Sequence, residues 1–339
     1  MTFIVKEVSD KSEWEKFVLG LNPNTFLHSW SWGEMQKILG EKIVRFGAYD
    51  DEKLCGVALG ITVSARRGHF LFCPHGPLVE NSESEITIVL LGELKKYAIR
   101  NNLVVLRVSP LEIANEKNNL FYKNFGMRPA PMHVHAETMW ILDIRQTEEQ
   151  ILKEMRKTTR NLVGRAERDG VKIRISREEK DLETFEKLYT ETADRENFVG
   201  FSRSFLDAEF EAFAADNNVF FAFAEYQGDV ISGALITTYG NTGFYHQGAS
   251  TRKWPKVPGA YLLQWEIIRE LRRQGKERYN FWGIAPTEGK NHPWAGLSLF
   301  KQGFGGYCED YVHAQDLPLK PAYWITWLIE EVRRRKRKY

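Results

Sequence analysis

Hydrophobic and polar positions repeat along this chain in the same order twice. In the first half, Phe46-x-x-Tyr49, a polar turn around Asp50-Asp51-Glu52, and Cys55-Gly56-Val57-Ala58-Leu59 read as a hairpin of alternating strands. In the second half, Phe223-x-x-Tyr226, a turn at Gln227-Gly228-Asp229, and Ser232-Gly233-Ala234-Leu235 read the same way, with identical Phe-to-Tyr-to-Gly spacing. Further extended segments follow each hairpin, Phe70 to Val79 and Gly243 to Ser250. Next comes an amphipathic helix: Ile86 to Arg100, with Leu90, Leu91, Leu94 and Ala98, and Ala260 to Gln274, with Leu263, Ile267, Ile268 and Leu271. A strand follows each helix, Leu103 to Val108 and Arg278 to Trp282. Each half closes on a related phrase, Phe121-Tyr122-Lys123-Asn124-Phe125-Gly126 and Phe300-Lys301-Gln302-Gly303-Phe304-Gly305. The pattern predicts a duplicated α/β module rather than one large sheet.

The join between the halves has its own signal. Thr147-Glu148-Glu149-Gln150 has the form of a capping box, threonine at the N-cap and glutamine three residues on. It predicts a helix through Ile151, Leu152, Met155, Leu162, Val163 and Ala166, stopped by Gly170, with the domain boundary just before it. A last helix is expected from Pro321-Ala322-Tyr323-Trp324-Ile325-Thr326-Trp327-Leu328, whose aromatic face needs a surface to bury it. Two domains also suit a chain of 339 residues, since single cores rarely grow past about 250.

Composition narrows the class. With 43% hydrophobic and 27% charged residues the chain reads as an ordinary globular protein. Three scattered cysteines, Cys55, Cys73 and Cys308, argue against a disulfide framework and for a reducing cytoplasm. Charge follows Met1 at once, so no signal peptide is expected, and no run of about 18 apolar residues is present to span a membrane. Net charge is only +2, yet positive residues gather in two places. One is the stretch Lys153, Arg156, Lys157, Arg160, Arg165 and Arg168; the other is the tail Arg333 to Lys338. Either is a solvated face or a contact for phosphates, RNA or anionic lipid. His133 and His135 could share a strand face as metal ligands, but no third ligand lies near in sequence, so no metal is expected.

The densest chemistry lies in Leu299-Phe300-Lys301-Gln302-Gly303-Phe304-Gly305-Gly306. Here a lysine stands between aromatics in what reads as a glycine-rich, close-packed turn. A lysine pinned in that way is partly desolvated and can meet negative charge on a reacting carbonyl or a phosphate. The plainer reading is a lysine snorkelling beside a hairpin turn.

The order of elements resembles the GNAT acyltransferase fold used twice, and seven phrases in order resemble the Fem-type (FemABX) peptidyltransferases. They are Phe26 to Gln36, Pro74-His75-Gly76-Pro77, Arg156 to Arg160, Glu191 to Arg195, Phe244 to Ser250, Tyr279 to Gly283, and Phe300 to Gly305. The resemblance implies an α/β protein of two tandem GNAT-like modules. One comprises residues 1–145 plus 317–339, the C-terminal helix packing back on it; the other comprises residues 146–316. It further implies precursor binding between modules, with Lys301 and Phe300 as the reaction-centre pair. Trp32, Lys37, Arg195 and Tyr245 match regions that hold the peptide substrate. Two positions depart from the family, Asn280 where aspartate is frequent and His75 where arginine is. The absence of a long heptad insertion points to the shorter, FemX-like form.

The implied reaction moves an amino acid from aminoacyl-tRNA to an amine of a peptidoglycan precursor, lipid II or UDP-MurNAc-pentapeptide, in interpeptide bridge formation. The ester is already activated, so no cofactor is expected, and no G-x-x-x-x-G-K-[ST] loop is present. Lys153, Arg156, Lys157 and Arg160 are the candidate tRNA or phosphate contacts, and Lys301 the candidate oxyanion stabiliser. No Asp–His pair at a telling spacing offers a general base. Glu309 and Asp310, behind the glycine turn, are weak alternatives. A monomer is expected in the cytoplasm, with the basic C-terminal helix touching the inner face of the membrane. Two rivals remain, an acyl-CoA-dependent GNAT enzyme and a non-catalytic RNA- or membrane-binding module. Against the first, Arg252 to Ala260 lacks the Q/R-x-x-G-x-G/A phosphate loop.

Overall fold

The computed structural model describes residues 3–65, 68–80, 84–286 and 292–337. Among the described residues, fifteen strands form two sheets. In chain order, β1 (Ile4–Glu7), β2 (Lys42–Asp50), β3 (Lys53–Ala65), β4 (Gly68–Pro74), β5 (Leu78–Val79), β6 (Val105–Ser109) and β7 (Arg128–Pro129) belong to the first. The second sheet takes β8 (Thr138–Asp143), β9 (Lys172–Ser176), β10 (Val219–Tyr226), β11 (Asp229–Tyr239), β12 (Thr242–Ser250), β13 (Arg278–Gly283) and β14 (Tyr307–Asp310), and β15 (Gln315–Pro318) returns to the first. The strand orders are β1-β2-β3-β4-β6-β15-β7, with β5 on β3, and β14-β8-β13-β12-β11-β10-β9.

The duplicated pattern is present as duplicated structure. Both hairpins close with two-residue turns, Asp50 facing Lys53 and Tyr226 facing Asp229. Gln227 and Gly228 have φ of 51° and 82°, the left-handed pair that a tight hairpin needs to match strand twist. Each hairpin carries a bulge just before its turn, at Ala48/Tyr49 and at Ala224/Glu225. Each sheet also has a parallel pair, β4 with β6 and β12 with β13. Parallel neighbours require a crossover, and the amphipathic helices Ser84–Arg100 and Gly259–Arg273 supply it.

The chain divides into two compact units, residues 1–138 with 289–293 and 309–339, and residues 139–288 with 294–308. The expected limits were 145/146 and 316/317. The first division falls earlier because β8 pairs with β13, Tyr279 facing Leu142, ahead of the helix that Thr147 caps.

In the first unit Leu71, Leu90, Leu94, Leu106 and Tyr122 are fully buried around the Ser84–Arg100 helix. The C-terminal helix Tyr323–Arg337 docks in this unit, as expected. Arg107 on β6 donates from Nε and Nη2 to both oxygens of Asp316 on β15 (2.6 and 2.8 Å) and from Nη2 to Glu330 on the helix (2.7 Å). Tyr323 Oη donates to Asp316 as well, at 3.0 Å. The expected basic run continues to Lys338, which lies outside the described residues.

In the second unit Phe220, Ile267, Tyr279, Phe281 and Phe304 form the centre of the core. The capping box is present, Thr147 N–H donating to Gln150 Oε1 and Gln150 N–H to Thr147 Oγ1. The single helix expected beyond it is instead two, Glu148–Glu154 and Lys157–Arg168. Met155 and Arg156 are extended at the break, with ψ of 143° and 138°. Two interactions account for it. Met155 is buried, and the Arg156 N–H donates to Gly303 O (2.9 Å) instead of continuing the helical ladder.

Candidate active site

Lys301 sits in the last turn of a helix, Ala295–Gln302, rather than in a glycine turn. The glycines follow it and end the helix. Gly305 and Gly306 take φ of 86° and 94°, and a β-carbon at Gly306 would strike the Ile141 carbonyl. Gly303 is pressed against Thr159 for the same reason. Trp140 Nε1 donates to Gly305 O at 2.7 Å, and Ser298 Oγ accepts from Ala285 N at 2.7 Å while donating to Trp294 O. The helix is therefore tied at both ends to β8 and to the segment after β13.

That packing buries the lysine, which is 4% exposed. Its Nζ donates to Gly283 O at 2.6 Å and stands 5.9 Å from the Tyr245 ring centre. Among the described residues no carboxylate lies within ion-pair distance of it. Burial without an anion lowers its pKa to about 7. Phe300, beside it, stacks edge-on against Tyr261 (5.0 Å) and Phe304 (5.3 Å), joining the lysine's backbone to the core. Burial likewise pushes the Tyr245 hydroxyl up to about 12, a hydrogen bond with Gln264 opposing the rise. A β-carbon on Gly248 would collide with that hydroxyl.

The strands open at this point. Parallel pairing of β12 with β13 runs from Thr242/Arg278 to Phe244/Asn280 and no further. Pairing of β13 with β8 lapses between Asn280 and Gly283 as well. Asn280 Oδ1 accepts from Trp282 N (2.7 Å), and Trp282 has φ of 66°. Tyr245, Trp282 and Gly283 all lie beyond the last shared rung, and Lys301 meets the sheet there through Gly283 O.

The other expected residues are placed as follows. Arg156 reaches the same helix, its Nη2 donating to Leu299 O at 3.4 Å. Lys153 and Lys157 are exposed. Arg160 Nη1 donates to the carbonyls of Leu152 (2.9 Å) and Lys153 (3.3 Å), closing the preceding helix. Arg195 bonds Ser250 through its carbonyl and its Oγ, and Glu196 through Nε, pinning the helix Asp181–Glu196 to the far end of β12.

Trp32 and Lys37 lie in the first unit, on the helix Trp30–Ile38. Trp32 is buried edge-on between Phe26 and His135. Lys37 is half-exposed and bonds Glu34 at 3.0 Å. His75, also in that unit, is buried with its Nδ1 2.7 Å from Thr25 Oγ1, and burial lowers its pKa to about 3. A neutral imidazole cannot supply the charge of the arginine frequent there.

One pair escaped the sequence reading. Glu209, on the helix Arg203–Ala214, is completely buried and lies 2.5 Å from Nδ1 of His246 on β12. Its sequence signal is an acidic residue on the apolar face formed by Leu206, Phe210 and Phe213. The pairing itself spans 37 positions, which no local pattern encodes.

Two mixed-sheet modules of this kind, each with hairpin, crossover helix and closing strand, define a tandem acyltransferase-like architecture. Among solved structures, this chain matches one described as FemX with a TM-score of 0.85 at 17% identity, covering 97% of this chain and all of that one. A tandem GNAT protein from the clavulanic acid biosynthesis pathway matches with a TM-score of 0.57 at 11% identity, over 94% and 99%. The FemAB family model matches residues 10–124, 122–229 and 223–331, and the chain belongs to the FemAB family. Aminoacyltransferase FemB of Staphylococcus epidermidis (strain ATCC 12228 / FDA PCI 1200) is 20% identical over 96% of this chain and 98% of its own length. Aminoacyltransferase FemA of Staphylococcus epidermidis is 21% identical over 84% and 88%.

Proposed function

We propose that this chain is an aminoacyltransferase that passes an amino acid from aminoacyl-tRNA to an amine of a peptidoglycan precursor, in building interpeptide bridges. The relatives named FemA and FemB support the class of reaction, and the buried Lys301 is the observation that carries the chemistry. The acceptor nitrogen attacks the ester carbonyl, an oxyanion forms, and the ribose oxygen leaves with a proton. In its charged form, Lys301 directs N–H groups from a fixed point, with Gly283 O holding its orientation. An oxyanion donor preset in a dry site is worth about 3 kcal/mol, or two to three decades in rate. Phe300 and Tyr245 shape that site; Trp32, Lys37 and Arg195 serve the acceptor substrate.

The basic face of residues 153–160 is proposed for the tRNA backbone, where charge and shape rather than base stacking supply affinity. The C-terminal helix is proposed to rest on anionic lipid. Trp324, Ile325, Leu328 and Val332 are exposed on it, ahead of Arg333 to Lys336. No described helix is long and apolar enough to cross a membrane. The protein then works as a monomer at the inner membrane face, without a cofactor.

The direct test is to incubate the purified chain with a mixed charged-tRNA pool and each precursor, lipid-linked and nucleotide-linked, and to read product masses. A mass gain of one amino acid residue supports the reading. No gain with any charged tRNA, alongside acylation from a CoA thioester, replaces it with acyl-CoA transfer.

A further inference from the structure

We infer that Glu209 and His246 form the acid–base pair of this transfer, His246 taking the proton that the acceptor nitrogen must shed. The inference rests on the transferase reading above and fills a step which that reading leaves without a residue. Four observations carry it.

The first is cost. Glu209 is 0% exposed, and the His246 side chain 5%. Glu209 Oε1 bonds His246 and accepts from Thr237 Oγ1 at 3.3 Å, whereas Oε2 makes no hydrogen bond among the described residues. A buried, half-satisfied carboxylate is a poor stabilising device. It is a good device for holding an imidazole and for stabilising the imidazolium that proton transfer creates.

The second is tautomer. A carboxylate at Nδ1 places a proton there, because the carboxylate is an acceptor. Nε2 is then the basic nitrogen.

The third is position. His246 follows Tyr245 on β12, and its ring stands 5.5 Å from that of Trp282. Trp282 precedes Gly283, whose carbonyl holds Lys301. Strand β12 bulges at His246, but the contacts set the directions. Tyr245 packs toward Gln264 of the helix Gly259–Arg273 and toward Lys301, whereas His246 meets Glu209 of the helix Arg203–Ala214, so the two pairs flank the stretch past the last β12–β13 rung from two sides. A nucleophile approaching from one face can meet an ester held from the other.

The fourth is access. The Phe201 ring, about half-exposed, lies 6.5 Å from the His246 ring, so the pair sits one side chain beneath the surface. Among the described residues, Tyr189 is a titratable group beside the pair. Glu209 comes from the helix Arg203–Ala214, and Tyr189, whose hydroxyl accepts from Phe201 N at 3.5 Å, from the helix Asp181–Glu196.

In the step, the acceptor nitrogen forms its bond to the carbonyl carbon and the oxyanion gathers charge. The N–H proton passes to His246 Nε2. The carbon–oxygen ester bond then breaks, and the imidazolium returns that proton to the departing ribose oxygen. Nothing is oxidised or reduced.

The test compares wild type, His246→Gln and Glu209→Gln, each as the full chain, with charged tRNA and the precursor that wild type uses. Turnover is expressed per folded molecule, by reference to thermal unfolding. His246→Gln is expected to lower kcat about 100-fold or more with KM for both substrates within about threefold. Glu209→Gln, which keeps an acceptor for Nδ1–H, is expected to lower kcat about tenfold and leave the protein folded. If His246→Gln does not fold, the Glu209→Gln result decides alone. A kcat within about threefold of wild type in the deciding variant, or a loss confined to KM, overturns the pair while leaving the transferase reading intact. Failure of wild type to transfer from any charged tRNA overturns both.

Discussion

Arg107 and Asp316, 209 positions apart in sequence, meet through two parallel hydrogen bonds of 2.6 and 2.8 Å in a site that excludes water. Glu330 completes the cluster, one cation between two carboxylates. Its neighbours raise the arginine's pKa further against the cost of burial. Breaking such a cluster leaves buried charge uncompensated. Arg107→Met is therefore expected to destabilise the first unit by roughly 3–5 kcal/mol, as measured by denaturant unfolding. Replacing all three charges by apolar side chains is expected to cost far less than the single change.

Lys301 should show the opposite relation between stability and work. Its folded pKa lies near 7 and its unfolded value at 10.5, so the unfolded state binds more protons between those limits. The lysine thus costs stability at and below neutral pH, and the cost fades as pH rises toward 10.5. Lys301→Met is expected to raise the unfolding temperature of the second unit at neutral pH by about 2–4 °C per kcal/mol recovered, the unpaired Gly283 carbonyl offsetting part of it. The same variant should lose two to three decades of turnover, on the order of 3 kcal/mol. A calorimetric scan and a rate measurement on one preparation check both.

His313 gives a pH dependence of the other sign. Burial opposes its charge, but the bond to Glu137 (Nδ1, 2.6 Å) and the Ala130 carbonyl (Nε2, 2.8 Å) prevail, so its pKa rises above 6.5. Both partners are acceptors, which favours the doubly protonated ring. The stabilisation is complete below pH 6.5 and is lost as pH climbs through the raised value. The stability difference between wild type and His313→Gln is expected to shrink as pH rises above 6.5, measured by urea unfolding.

The basic face admits a cleaner test than reversing Arg160, because Arg160 closes a helix end. Lys153→Glu with Lys157→Glu changes two exposed cations. The double variant is expected to raise KM for aminoacyl-tRNA about tenfold or more, to flatten its salt dependence, and to leave KM for the precursor unchanged. Steady-state assays at two ionic strengths check this.

Much of the fold was legible because it is periodic. The hairpin phrases at Phe46 and Phe223, the helical faces at Leu90 and Ile267, and the Thr147 cap each rest on local rules, and the structure shows each. Two local readings failed where tertiary contact prevailed over propensity. The helix expected to run through Met155 breaks because Arg156 N–H bonds Gly303, a partner from the other end of the unit. Lys301 reads as part of a turn because the glycines after it are conspicuous, yet they terminate a helix. The candidate site was legible only in part. The run at Phe300-Lys301 drew attention through aromatic and glycine content, whereas Glu209 with His246, and Arg107 with its carboxylates, depend on topology alone.

That last cluster sets an order of events during synthesis. Arg107 emerges from the ribosome 223 residues ahead of Glu330, a delay on the order of 10 to 45 s at ordinary elongation rates. Until residue 315 is made the arginine's lobe lacks β15 and both counter-ions, and until residue 330 it lacks the second, so a guanidinium destined for a dry interior waits in water. Residues 139–288 are translated within that interval and can mature first. The lobe that carries Arg107 is thus completed after residues 139–288 have been made, and any nonsense codon before position 330 strands it incomplete.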